Sequence, residues 1–229
     1  MNKNLHDGHR ERVRERFIRE GLQGFQDHQI LELLLFYCVP MRDTNELAHK
    51  MINKFGSFHN LVDATPKEIC DRCGVTMKTA VLISMIPHLA NRYSLSKWDP
   101  GLIMDNSEIA GEYAVSLYTG LKVETVYLFC LDAQRRLRHA ALIIKGTLDE
   151  APIYPRELAR AALAHDAIYV ILVHNHPGGT LEASNSDKLA TKKIMDVFQM
   201  FKIEVIDHII VCGDKYLSFA KKRLMGLGY

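Results

Sequence analysis

The chain lacks a long apolar run. Its longest clean one, AIYVILV at 167–173, is strand-sized and far short of the ~20 residues a helix needs to cross a bilayer. It lacks the apolar core of a secretion leader, because the N-terminus is charged. It lacks any large excess of charge: the formal net value is +2, too small to announce a polyanionic partner. It also lacks a disulfide framework. The five cysteines, at 38, 70, 73, 130 and 212, are odd in number, and most sit among apolar residues, as thiols do in a reducing compartment. Cys70 and Cys73 form a CxxC, but no second pair stands nearby at zinc-site spacing, so two cysteines sharing one helix face account for it. These absences predict a cytoplasmic protein without membrane contact. There are no internal repeats and no low-complexity segments, and 229 residues suit one large domain or two modest ones.

Charge is unevenly spread. HRERVRERFIREG, starting at His9, holds five arginines against three glutamates, and KKR at 221–223 is a second basic spot. Either could touch a polyanion, but a solvated helix face is the preferred reading.

Residues 5 to about 94 read as helical. HQILELLLFYCV and NELAHKMINKFG carry apolar residues at three- and four-residue spacing, and Gly56 stops the second run. TPKEICDRC starts with a Thr cap, Pro at the first helical position and Glu at the third. KTAVLISMIPHLANRY reads as one amphipathic helix, kinked at Pro87. The turn formers of SLSKWDPG (94–101) mark a linker. The expected division is a helical domain at 1–94, a linker at 95–103 and a second domain at 104–229.

In that second domain NSEIAGEYAVSLYTG is a capped helix. ETVYLFCLD (124–132) and LRHAALIIKG (137–146) are β-rich and separated by the polar AQRR, as in a hairpin. YPRELARAALAHD is a helix. IYVILVH suits a central strand buried on both faces. NSDKLATKKIMDVFQMF is a helix, EVIDHIIVC a strand and KYLSFA a short last strand. Strand and helix alternate, so this half is a layered α/β or α+β domain.

The chemistry concentrates at the end of the apolar strand. In extended chain, residues i and i+2 point to one side, so His174 and His176 project together. Paired imidazoles can bind one Zn2+, and a catalytic zinc takes three protein ligands and keeps a position for water. Asp187 is the natural third ligand, because the loop PGGTLEAS can turn the chain back and bring the next helix's first turn to the metal. The C-terminal ends of strands are also where open α/β sheets place their sites. A plainer account stands beside this one: SNSD (184–187) matches a capping box, and Ser184 and Asp187 could be capping groups alone.

His174, His176, Pro177, Ser184 and Asp187 follow the order of the H-x-H-P…S-x-x-D signature, and the stretch resembles the JAMM (JAB1/MPN/Mov34) metalloprotease superfamily. The wider chain resembles the RadC family of bacterial proteins through GTLDEAPIYPRELARAAL, AIYVILVHNHPGG and DHIIVCG, which follow in order, and the resemblance covers nearly the whole chain. It implies an α+β fold: a helical, helix-hairpin-helix-like N-terminal domain ahead of a JAMM/MPN-like (cytidine deaminase-like) mixed sheet flanked by helices. It implies that His174, His176 and Asp187 bind zinc. It implies that Glu124, at the start of the first strand, holds a zinc-bound water and acts as general base, with Glu150 and Glu157 as competitors. Ser184 would donate to the oxyanion. Asp207 and His208 match a family segment as supporting or structural groups rather than ligands, because they stand on a different strand.

The implied activity is zinc-dependent hydrolysis of an amide bond, of metallopeptidase or isopeptidase type, on an unknown protein or peptide. The alternative is a DNA-associated repair or binding factor whose metal site is secondary, or which acts on nucleic acid. DNA would meet the N-terminal helical region. There the hairpin turn CGVTMK (73–78) has Cys73 and Val75 where the family's glycines stand, which departs from a phosphate-binding turn. A metal-free structural relative is a third alternative, disfavoured by the full ligand set.

Overall fold

A computed structural model describes residues 8–40, 43–145 and 155–225. The chain divides into two compact units, Met1–Leu89 and Ala90–Tyr229.

The first unit is helical: α1 His9–Glu20, α2 Asp27–Leu35, α3 Thr44–Phe55, α4 Phe58–Val62, α5 Pro66–Cys73 and α6 Met77–Ser84, with α7 Ile86–Leu95 running on past its end. Side chains satisfy free N–H groups at the starts of α3, α4, α5 and α6. Asp43 accepts from Asn45 N and Glu46 N, Ser57 from Asn60 N, and Thr65 with Glu68 forms the capping box written in TPKE. Gly56 closes α3 with φ 83°, a conformation that costs glycine nothing. Leu31, Leu35, Met51, Leu61, Ile69 and Ile83 form the fully buried centre. The run expected as one kinked helix is two. Pro87 has no N–H for the carbonyl of Ile83, so α6 ends at Ser84 and α7 starts afresh at Ile86. Cys70 and Cys73 share α5 and pack at the edge of this core, and all five cysteines are free thiols.

The second unit contains α8 Ser107–Tyr118, β1 Thr125–Leu131, β2 Leu137–Lys145, α9 Pro155–Ala164, β3 Tyr169–Asn175, α10 Asn185–Met200, β4 Glu204–Cys212 and β5 Lys215–Ser218. The strands form one mixed sheet in the order β2-β1-β3-β4-β5. The pair β3–β4 is parallel and the others antiparallel. The parallel pair needs a crossover, which α10 supplies. At the β1–β2 turn, Asp132 Oδ1 accepts from Gln134 N and Arg136 N, both at 2.9 Å.

The sheet is covered on both faces. Val126, Leu128, Val170 and Leu172 pack with Leu158 and Ala162 of α9 and Ile194 and Phe198 of α10. Phe129, Ile171, Val173, Ile209 and Val211 pack with Ala110, Ala114 and Tyr118 of α8. Strand β3 lies in the middle, and every residue from Val170 to Asn175 is buried. This is why its sequence is continuously apolar instead of alternating. Among the described residues no helix is long and apolar enough to cross a membrane.

Helix α8 sits close to β5 because Gly111 has no side chain: a Cβ there would fall inside the ring of Tyr216. Gly111→Ala is expected to destabilise the fold by about 1–3 kcal/mol, as overpacked cores do. Urea unfolding checks this, and the penalty should vanish in a Tyr216→Ala background.

Candidate metal centre

Strand β3 carries His174 to the C-terminal edge of the sheet, where it pairs with Ile210 of β4 and Val126 of β1. His176 lies one residue past the strand but stays tied to the sheet, since its N–H donates to Val211 O at 2.8 Å. The chain then reverses: Gly178 takes φ 69° and Gly179 N donates to His176 O. The loop ends at Ser184, and α10 begins with Asp187 as the third residue of its first turn.

These elements bring three donors to one point. His174 Nε2 and His176 Nε2 are 2.9 Å apart. His174 Nε2 is 3.2 Å from Asp187 Oδ1, and His176 Nε2 is 3.8 Å from Asp187 Oδ2. Two ligands about 2.0–2.1 Å from a tetrahedral zinc lie roughly 3.3 Å apart, a value the three separations bracket. Among the described residues this is the one group of three His, Cys, Asp or Glu side chains that could hold a metal ion. His174 is fully buried and Asp187 nearly so, while His176 keeps 21% of its side-chain surface exposed.

The hydrogen bonds around the site dictate which ring nitrogens carry protons. The Thr191 hydroxyl donates its single proton to Asp187 O at 2.6 Å. Its oxygen, 2.6 Å from His208 Nδ1, must therefore accept from that nitrogen. Burial first, and the nearby His174 second, hold the His208 imidazole well below its usual pKa, so the ring is neutral and its Nε2 is an acceptor. The proton 2.8 Å away is then on His174 Nδ1, so in the neutral ring the lone pair is on Nε2. His176 Nδ1 faces Thr180 O at 3.1 Å, an atom that only accepts, so the neutral form of the second ring also turns its lone pair on Nε2 inward. Both tautomers suit metal ligation, and outside partners set both.

Asp187 supplies the negative charge. Burial alone would raise its carboxyl pKa, but the adjoining His174 ring and the hydrogen bonds from Ser184 outweigh this and hold it well below the usual carboxylate range. With His174 Nδ1 already protonated, the contact between Nε2 and Oδ1 needs a positive centre, either a second proton or a metal cation. Three converging acceptors therefore fit a cation by the chemistry of the donor set.

The capping box in SNSD is present too. Ser184 Oγ donates to Asp187 Oδ2 at 2.7 Å, Ser184 N donates to the same oxygen at 2.8 Å, and Asp187 N donates back to Ser184 Oγ at 3.0 Å. One carboxylate thus starts the helix with Oδ2 and faces His174 with Oδ1. Glu124 precedes β1 and is half-buried. Since Val126 pairs with His174, Glu124 stands at the sheet edge that His176 extends. Its competitor Glu157 is ion-paired with Arg160 on α9, and Glu150 lies outside the described residues. Asp207 is a structural tie: it accepts from Ser107 Oγ, Ser218 Oγ, His208 N and Ala220 N at 2.6–2.9 Å. Sequence reading missed Thr191. Its position one helical turn after Asp187 is the signal that could have found it.

Comparison with known proteins shows the family. Residues 104–224 match the family described as the RadC-like JAB domain. The chain is 34% identical to UPF0758 protein PSHAa2643 of Pseudoalteromonas translucida over 215 residues, covering 94% of this chain and 96% of that protein. It is 30% identical to UPF0758 protein FN0909 of Fusobacterium nucleatum, covering 98% and 100%. A UPF0758 protein of Vibrio campbellii is also 30% identical, covering 91% of this chain and 93% of its own length.

The relay makes a residue that touches no ligand ring matter for metal binding. Thr191→Val is expected to weaken the site about 10–100-fold, the usual cost of losing a group that orients a ligand, and Thr191→Ser to restore it. Competition titration with a chromogenic zinc chelator measures both.

Proposed function

Because the chain belongs to the RadC family and its JAB domain gathers three inward-facing acceptors, we propose that it is a JAMM-type hydrolase that holds zinc and cleaves an amide bond in a protein or peptide. The observation that carries this is the pair of imidazoles whose Nε2 lone pairs are fixed toward the Asp187 carboxylate by bonds to His208 and Thr180. His174, His176 and Asp187 would hold the ion. When bound, zinc supplies Lewis acidity, which makes a water easier to deprotonate near neutral pH and polarises a carbonyl.

The other roles belong to the chain itself. Glu124 takes the proton of the attacking water and passes it to the leaving nitrogen, a task suited to a half-buried carboxylate at the sheet edge. His176 is the solvent-side ligand, so substrate approaches past it. Ser184 is the proposed donor to the oxyanion; its hydroxyl now donates to Asp187 Oδ2, and the substrate oxygen has to compete with that carboxylate.

DNA association is a second reading. The α5–α6 hairpin keeps a turn at the place this reading needs, with φ 67° at Gly74 and Thr76 capping α6, but Cys73 and Val75 stand there in place of glycines. The arginines of α1 weigh against it, because Arg10 donates to Val39 O and Arg16 to Gly24 O, while Arg14 and Arg19 pair with Glu11 and Glu20. If DNA is bound, binding weakens steeply with salt and survives His174→Ala, as electrophoretic shifts at two salt concentrations would reveal.

The hydrolase reading is tested by metal content and by rate. Wild-type protein is expected to carry about one zinc per chain, and His176→Ala and Asp187→Ala less than about half that. Glu124→Gln should keep its zinc yet lose roughly 10²–10⁴-fold of hydrolytic rate in a peptide and isopeptide screen. Zinc retained in the ligand variants, or full activity in Glu124→Gln, would end the proposal.

A further inference from the structure

Asn175 stands between the two imidazole ligands and is buried. Its Oδ1 accepts from Thr125 N at 2.7 Å, and its Nδ2 donates to Val123 O at 3.2 Å. The two peptide groups held this way are the ones on either side of Glu124. Strand β1 begins only at Thr125, so ladder pairing does not reach Glu124. The Asn175 carboxamide has the same donor and acceptor as a peptide group and extends the β1–β3 ladder by one step. The segment is fastened further where Thr125 Oγ1 donates to Val123 O and the buried Tyr118 hydroxyl meets both Thr125 O and Val173 O.

We infer that Asn175 is the positioning residue for Glu124: its side-chain amide clamps the backbone on both sides of that glutamate and so sets the carboxylate against the metal ligands. The inference rests on Glu124 being the general base. The need for such a clamp is physical. A proton acceptor has to stand within hydrogen-bond reach of its water, and a misplacement of about 1 Å can cost 10²-fold in rate. A glutamate on a fraying strand end would not hold that position. Asn175 is covalently joined to both imidazole ligands, so strand β3 delivers the ligands and the base's anchor together.

The test uses the full-length protein loaded with Co2+ in place of zinc, followed by visible absorption from about pH 5 to 9. Wild type is expected to show an inflection that Glu124→Gln moves by about one pH unit, a tenfold change in the ionisation constant. Asn175→Ala should move it toward the Glu124→Gln value, and the double variant should add nothing further, because the amide acts only through the carboxylate. Co2+ affinity should change less than about threefold in all three, well below the 10–100-fold loss of a ligand-orienting group. Asn175→Ser, too short to span both peptides, should behave like Asn175→Ala and serves if the alanine variant does not fold. An inflection that Glu124→Gln moves and neither Asn175 variant moves would overturn the positioning role. If Glu124→Gln itself moves nothing while Co2+ stays bound, the base assignment fails, and the clamp's role fails with it.

Discussion

One hydroxyl proton decides the chemistry of this site. Thr191 has a single proton and spends it on the carbonyl of Asp187. From that follow the protonation of His208 at Nδ1, the protonation of His174 at Nδ1 and, in the neutral His174 ring, the lone pair on the Nε2 that faces the carboxylate. The relay begins at the backbone of one ligand and ends at the ring of another, so it binds α10, β4 and β3 into one unit. Because His208 is buried and neutral, the chain cannot satisfy itself by taking up a proton there. What converges there are the lone pairs of two imidazoles and a carboxylate, a donor set that could hold a cation.

The fold makes this arrangement possible by placing β3 in the middle of the sheet. Helices cover both faces, so the strand end that carries His174 is dry, and a dry setting strengthens each hydrogen bond that orients the ring. The parallel β3–β4 pair sets His208 next to His174, and the crossover helix between those strands contributes Asp187 and Thr191. A candidate metal site and a helix start have been merged. The hydrogen bonds from Ser184 that begin α10 also pin the carboxylate, so helix capping and ligand orientation are one interaction.

Much of this was legible in the residues. The continuous apolar run at 167–173 read as a central strand because a strand covered on both faces has no polar side to show. Histidines two apart at its end had to share a side. SNSD offered two readings, ligand and cap, and Asp187 performs the cap while facing both imidazoles, since a carboxylate has two oxygens. Pro87 signalled a disturbance, but local pattern could not say whether a kink or a break would follow; the missing donor separated α6 from α7. Glu124 was placed by resemblance, because a single glutamate beside a strand has no local signature.

The sequence alone determined the elements, the strand that ends in H-x-H and the helix that opens with a capped carboxylate, because these depend on contacts between near neighbours along the chain. Only the tertiary structure decided which nitrogens carry protons and what holds Glu124. His174 meets His208 across 34 residues, and Asn175 meets Thr125 across 50. Threonine, histidine and asparagine become orienting groups only when a folded sheet sets their donors and acceptors within 3 Å or so of distant partners. No spacing along the chain encodes that distance.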